Sequence, residues 1–248
     1  MPLIKKEIQM VRSLADRKGR DEHGLFVAEG EKIIRELSTS GMRIRRIYAL
    51  EGFMEDIADV CRVSPAEMER LSMLKTANNS IATVEIPHYG FELERARHNL
   101  VLALDDVGNP GNVGTLIRLA DWFGISDVVC SPSTADCFNP KVVQATMGAI
   151  IRVRVHYLDL AAELRRAREA GIPIYGTFLE GDDIYGAELS RTGIIVMGNE
   201  GRGISPSVAA SVSRKLFIPP YPSDRRGSES LNVSTAAAVV CSEFRRRG

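Results

Sequence analysis

Little in this chain of 248 residues points to metal or disulfide chemistry. The four cysteines, Cys61, Cys130, Cys137 and Cys241, form no CxxC pair, and the four histidines are scattered at positions 23, 88, 98 and 156. Zinc sites need ligands at short fixed spacings and disulfide frameworks need cysteines in pairs, so neither is signalled. A continuous apolar run is also lacking. The opening stretch MPLIKKEIQMVRSLADRK alternates charge with apolar residues, which suits neither a signal peptide nor a membrane span, and a cytoplasmic protein with no membrane partner is expected. Net charge is absent as well: 32 Lys and Arg balance 32 Asp and Glu. That balance argues against a surface that attracts nucleic acid over its whole extent, while leaving room for local basic patches.

One such patch lies at the start. The first 50 residues carry 11 Lys or Arg against 7 Asp or Glu, an excess of four. Smaller clusters fall at Arg165, Arg166 and Arg168, at Arg225 and Arg226, and at Arg245 to Arg247; each alone reads as a solvated face, and the last also suits a helix C-terminus. With 44% hydrophobic and 26% charged residues the chain is of ordinary globular composition.

The order of elements predicts an α/β protein in two parts. In the first, a helix over Ile4, Ile8, Val11 and Leu14 precedes a strand at 25–28, a helix carrying Ile33, Ile34 and Leu37, and a strand at 44–50. Ser64-Pro65-Ala66-Glu67 is a capping box with proline at the first helical position, and 82–86 is the last strand. Residues 1–88 then form one domain and the polar 89–99 a linker. From 100 to 248 strands and helices alternate, with strands at 100–107, 127–130, 151–156, 173–177, 193–197 and 215–219 and an alanine-rich helix from about 232 to 247. Alternation of this kind predicts a mostly parallel sheet covered on both faces.

Three turns after strands of the second part hold residues that sheet and helix formation do not require, where ligands of open α/β sheets gather. The first is NPGNVGTLIR, residues 109–118, in which Asn112 is placed to cap a helix whose apolar stripe is Val113, Leu116, Ile117 and Ala120. Arg118 falls outside that stripe, one turn beyond Gly114, where its guanidinium projects over backbone that carries no side chain. The second is MGNEGRGIS, residues 197–205, whose glycines keep the backbone accessible around Asn199 and Glu200; no Lys-Ser/Thr follows, so a Walker-type loop is not indicated. The third, IPPYPSDRRGSESLNVS, leads into the last helix, and its Ser230 and Asn232 can cap that helix or address a ligand.

NPGNVGTLIRLADWFG, IVMGNEGRGIS and IP...ESLNVSTAAAV, in this order, resemble the three signature motifs of the SpoU/TrmH-type RNA 2′-O-ribose methyltransferases of the SPOUT superfamily. KGRDEHGLFVAEGEKIIREL resembles the small α/β/α substrate-binding domain that many members carry in front. The resemblance implies a deep trefoil knot in the C-terminal part, S-adenosylmethionine as cofactor, pairing of two chains as a homodimer, and methylation of a ribose in structured RNA, ribosomal or transfer. It implies that Arg118 is the catalytic arginine, either orienting the hydroxyl and stabilising alkoxide charge or taking the proton itself. Asn112 and Glu200 would place Arg118 or the ribose, Ser230 and Asn232 would organise the knot floor and an RNA phosphate, and backbone from Thr177, Gly198, Ile218 and Leu231 would hold the cofactor. One departure is the longer segment PYPSDRRGS, residues 220–228, which could widen the cofactor loop or reach RNA. An RNA-binding protein that keeps the fold without methyl transfer is the alternative; a nucleotide-binding oxidoreductase lacks GxGxxG after its first strand.

Overall fold

The computed structural model describes residues 4–222 and 230–246. Its chain divides into two units, Met1–His88 with Asp136–Ile151, and Tyr89–Ala135 with Arg152–Gly248. No helix among the described residues is long and apolar enough to cross a membrane.

The first unit follows the expected order with two additions. Helices α1 (Lys5–Ser13) and α2 (Arg17–His23) precede β1 (Leu25–Glu29), α3 (Glu31–Ser38), β2 (Ile44–Ala49), β3 (Val60–Arg62), α4 (Pro65–Leu71) and β4 (Ser80–Glu85). The α2 helix and the three-residue β3 carry too few apolar positions to show a period, which is why the sequence reading passes over them. Gly24 ends α2 at φ 63, and Ser64 with Glu67 forms the capping box foreseen for α4. The sheet runs β1-β4-β2-β3, with β4 antiparallel to both neighbours and β3 parallel to β2. Val11, Leu14, Val27, Tyr48, Met68, Leu71 and Ile81 fill the core beneath it.

Asp136–Ile151, which the sequence reading assigns to the second domain, packs in this first unit. It contains α6 (Pro140–Thr146). The Phe138 ring lies 4.8 Å from that of Phe26, and the buried Arg20 guanidinium donates to the carbonyls of Leu14 and Ala15 and to Asp136 Oδ2. A buried arginine is stable only when its donors are met, and here three acceptors surround it.

The second unit holds β5 (Leu100–Leu104), α5 (Pro110–Trp122), β6 (Asp127–Cys130), β7 (Arg154–Tyr157), α7 (Leu160–Glu169), β8 (Ile174–Asp183), β9 (Gly193–Met197), α8 (Pro206–Ala209), β10 (Arg214–Phe217) and α9 (Val233–Arg246). All six strands run parallel, in the order β10-β8-β9-β5-β6-β7. β5 and β9 are buried residue by residue, as parallel strands covered on both faces must be. β8 outruns its expected end at Thr177, because its pairing with β10 jumps from Gly176 to Asp182 and leaves 177–181 as an excursion between the two. Chain order reverses between β9 and β5, so their carboxyl ends border the crevice where such sheets bind ligands.

Candidate active site

Asn112, Glu200 and Asn232, one from each of the three turns singled out in the sequence, meet at that carboxyl edge. After β5 the chain passes Asp105 and Asp106 and enters α5 through Asn109, whose side-chain oxygen accepts from the amides of Gly111 at 2.8 Å and Asn112 at 3.4 Å, with Pro110 at the first helical position. Asn109 is therefore the cap expected of Asn112, three residues further on. The correction has a chemical consequence, since the Asn112 side chain is free for other work.

That work is to join three loops. Asn112 Nδ2 donates to Glu200 Oε1 at 2.7 Å, and Asn112 Oδ1 accepts from Asn232 Nδ2 at 3.2 Å and from Ser234 Oγ at 3.3 Å. Asn232 in turn accepts the Ser234 amide at 2.9 Å, so it starts α9 while bridging to α5. One amide thus reads a carboxylate with its donor and an amide and a hydroxyl with its acceptor, which fixes its orientation. Glu200 and Asn232 are exposed and Asn112 is half-buried, so the chain of bonds faces solvent.

Arg118 stands apart from this chain. It is exposed on α5 and has no ion-pair or hydrogen-bond partner among the described residues. Six residues beyond Asn112 place it about 9 Å further along the helix axis. Ser230 is exposed at the edge of the described chain, whereas Arg225 and Arg226 and most of the PYPSDRRGS segment lie outside the described residues.

Thr177, Gly198 and Ile218 follow the paired stretches of β8, β9 and β10, three adjacent strands, so their backbone lies along one rim. Gly198 can be nothing but glycine: a Cβ there would sit 2.3 Å from the Gly203 carbonyl carbon and 2.4 Å from the Ile204 nitrogen. The Thr177 hydroxyl is spent on the Val196 carbonyl at 3.2 Å, which leaves its backbone as the group it can present. Ile218 is half-buried and Leu231 is 50% exposed, giving apolar surface beside that rim.

Several further side chains hold the loops in place. Asn199, read as a group that could meet a ligand, is occupied within the protein: Nδ2 donates to the Asp106 carbonyl at 2.7 Å, and Oδ1 accepts from the amides of Gly201 and Arg202. Buried Asp105 accepts the Ser205 amide at 2.7 Å, fixing the start of α8. Asp106 pairs with Arg202. Among the described residues of the outlying arginine clusters, Arg166 is engaged with Glu163, Arg168 with the Ala210 carbonyl, and Arg245 with the carbonyls of Phe123 and Gly124. Among the described residues no cluster of His, Cys, Asp or Glu could hold a metal ion.

Comparison with known proteins places these features in a family. Residues 5–82 match the MRM3-like substrate binding domain. A 23S rRNA (guanosine(2553)-2′-O)-methyltransferase, RlmP of Bacillus subtilis, is 28% identical over 241 residues, covering 94% of each chain. The RlmB 23S rRNA (guanosine-2′-O-)-methyltransferase of Neisseria meningitidis is 34% identical over 150 residues, 60% of this chain and 58% of its own. Among solved structures, a protein of Porphyromonas gingivalis assigned to the TrmH family of RNA methyltransferases is 38% identical over the whole of both chains at a TM-score of 0.89. An rRNA methyltransferase of Sinorhizobium meliloti with AdoMet bound is 25% identical at a TM-score of 0.86, covering 100% of this chain and 97% of its own. Residues 99–242, more than half of the chain, match the SpoU rRNA Methylase family, and it is to this family that the chain belongs.

Proposed function

We propose that the protein transfers a methyl group from S-adenosylmethionine to the 2′-hydroxyl of a ribose in ribosomal RNA. The observation that carries this reading is the Asn232–Asn112–Glu200 chain of hydrogen bonds, which ties the three family motifs together at the carboxyl edge of the parallel sheet. The named relatives act on the same group, a ribose 2′-hydroxyl of 23S rRNA.

The rim residues suit such a cofactor. S-adenosylmethionine supplies a methyl group on a sulfonium, and its adenine needs apolar walls and main-chain hydrogen bonds rather than charge. Thr177, Gly198, Ile218 and Leu231 offer backbone and apolar surface and no ionised side chain. They are the residues that would hold it.

Displacement at a methyl group demands an in-line approach, so alignment of the ribose oxygen is the larger part of the catalysis. Arg118 performs it. A guanidinium is a poor base but a strong donor, and it orients the hydroxyl and an adjacent phosphate while stabilising the charge that develops on the ribose oxygen as its proton passes to solvent water. The half-buried Asn112 amide and the exposed Glu200 carboxylate position the ribose, and Ser230 and Asn232 support the floor of the site and an RNA phosphate.

A homodimer of knotted units completes this reading. Arg118 lies six residues along α5 from Asn112, a separation that a second copy of the chain would close, and α9 returns to α5 from 120 residues away through Arg245 and Asn232. The deep trefoil knot rests on the same motif resemblance. Residues 1–88 serve as the RNA-binding domain, a role that fits their basic excess and the match of 5–82 to a substrate-binding domain.

The test is incubation with undermethylated ribosomal RNA and labelled S-adenosylmethionine, followed by digestion and mapping. Label on a single ribose 2′-oxygen is expected. Label on a base, or none with RNA from any ribosomal subunit, overturns the proposal.

A further inference from the structure

Asp106 sits between β5 and α5 in the left-handed region, at φ 58, although it is not glycine. Such a conformation is strained for a residue with a side chain and persists where surrounding contacts impose it. Three contacts impose it here. Its amide donates to Ser131 Oγ at 2.8 Å, its carbonyl accepts from Asn199 Nδ2 at 2.7 Å, and its carboxylate pairs with Arg202.

Two of those contacts lead to the glycine-rich turn after β9. Asn199 also accepts the amides of Gly201 and Arg202, and the backbones of Asn199 and Gly203 pair with each other at 2.9 and 3.0 Å. The turn is thus closed on itself, and Asp106 grips it at Asn199 and at Arg202. Glu200 lies between these two grips. Its carboxylate must meet Asn112, which hangs from the other side of the same β5–α5 connection.

We infer that Asp106 and Arg202 are positioning residues for methyl transfer, a clasp that sets the distance between Asn112 and Glu200 without touching the substrate. The inference rests on the reaction proposed above. An exposed ion pair of this kind adds little to overall stability, Arg202 being 75% exposed, so its effect is confined to local geometry.

The experiment uses the full chain with three single variants and one double. Arg202→Gln and Asp106→Gly, the latter keeping the left-handed backbone while removing the carboxylate, each lower kcat about 10-fold, because small misplacements at a reacting centre are costly. Asp106→Asn, which tolerates the same backbone and keeps a neutral acceptor, recovers most of the rate. In the Asp106→Gly/Arg202→Gln double variant the loss stays close to that of either single change, as coupled partners require. Affinity for S-adenosylmethionine by calorimetry stays within about twofold. Independently of any substrate, hydrogen exchange at the amides of Gly201 and Arg202 speeds up in both single variants. Unchanged exchange, full activity of Arg202→Gln, or losses that multiply in the double variant would overturn the clasp. A wild-type protein that transfers no methyl group refutes the reaction instead, and the exchange measurement then still decides whether the clasp holds the turn.

Discussion

The two ends of the six-stranded sheet both gather polar side chains, and they use them in opposite ways. At the amino end, Asp127 at the start of β6 is 4% exposed and receives a two-pronged Arg154, at 2.9 and 2.7 Å, and His156 Nε2 at 2.9 Å. Burial works to raise its pKa, but the hydrogen bonds from His156 and Arg154 and the arginine's charge outweigh it and hold the carboxyl well below the usual carboxylate range. At the carboxyl end the polar groups are amides and a carboxylate joined by single bonds through Asn112, with Arg118 exposed further along α5. The first arrangement neutralises charge within the protein. The second leaves charge and hydrogen-bonding capacity on offer, and the difference separates a structural cluster from a site.

The sharpest way to break that contrast is to empty both ends. Asp127→Ala strands Arg154 and His156 without their partner and is expected to cost about 3–5 kcal/mol of stability in urea unfolding. A loss under about 1 kcal/mol would mean that this cluster is no more structural than a surface pair. Arg118→Ala should do the reverse: kcat falls by about 10²- to 10³-fold, as on removal of one donor to a developing oxyanion, while the unfolding midpoint stays where it was. Full activity in that variant would remove Arg118 from the mechanism. A smaller effect, about 10-fold in kcat, is expected for Asn112→Ala, which cuts the link among the three loops but leaves Arg118 in place. If Asn112→Ala instead lowered stability as much as Asp127→Ala, the carboxyl end would be a scaffold as well.

Much of this contrast was legible in the sequence, for identifiable reasons. Parallel strands buried on both faces read as apolar runs, so β5, β6 and β9 were plain, and the Ser64–Glu67 capping box marked the start of α4 by its own chemistry. Glu200 stood out because no strand or helix needed it, whereas Asn112 and Asn232 could also be read as caps. What stayed hidden depended on distance through the fold. Asn112 looked like a cap because a cap is a local device, and only the fold shows Asn109 taking that place. Asp127, Arg154 and His156 lie up to 29 residues apart and become one cluster only when β6 pairs with β7 in register. The packing of Asp136–Ile151 with the first unit was invisible for the same reason, since Arg20 and Asp136 meet across 116 residues.

The finest discrimination between the two ends comes from acid. Asp127 has a folded-state pKa held below its ordinary value, so the stability it contributes is fully present above the unfolded pKa of about 4 and is lost as pH falls from there toward the lower folded value. The unfolding free energy should therefore be flat in this respect from pH 8 to 5 and decline below about 4. In Asp127→Asn the titrating group is gone, and the part of the acid slope that belongs to it should vanish. Urea unfolding at pH 3 and pH 7 of the parent protein and this variant measures this directly. An acid slope that survives unchanged in Asp127→Asn would show that the buried cluster is not where the fold stores its dependence on charge.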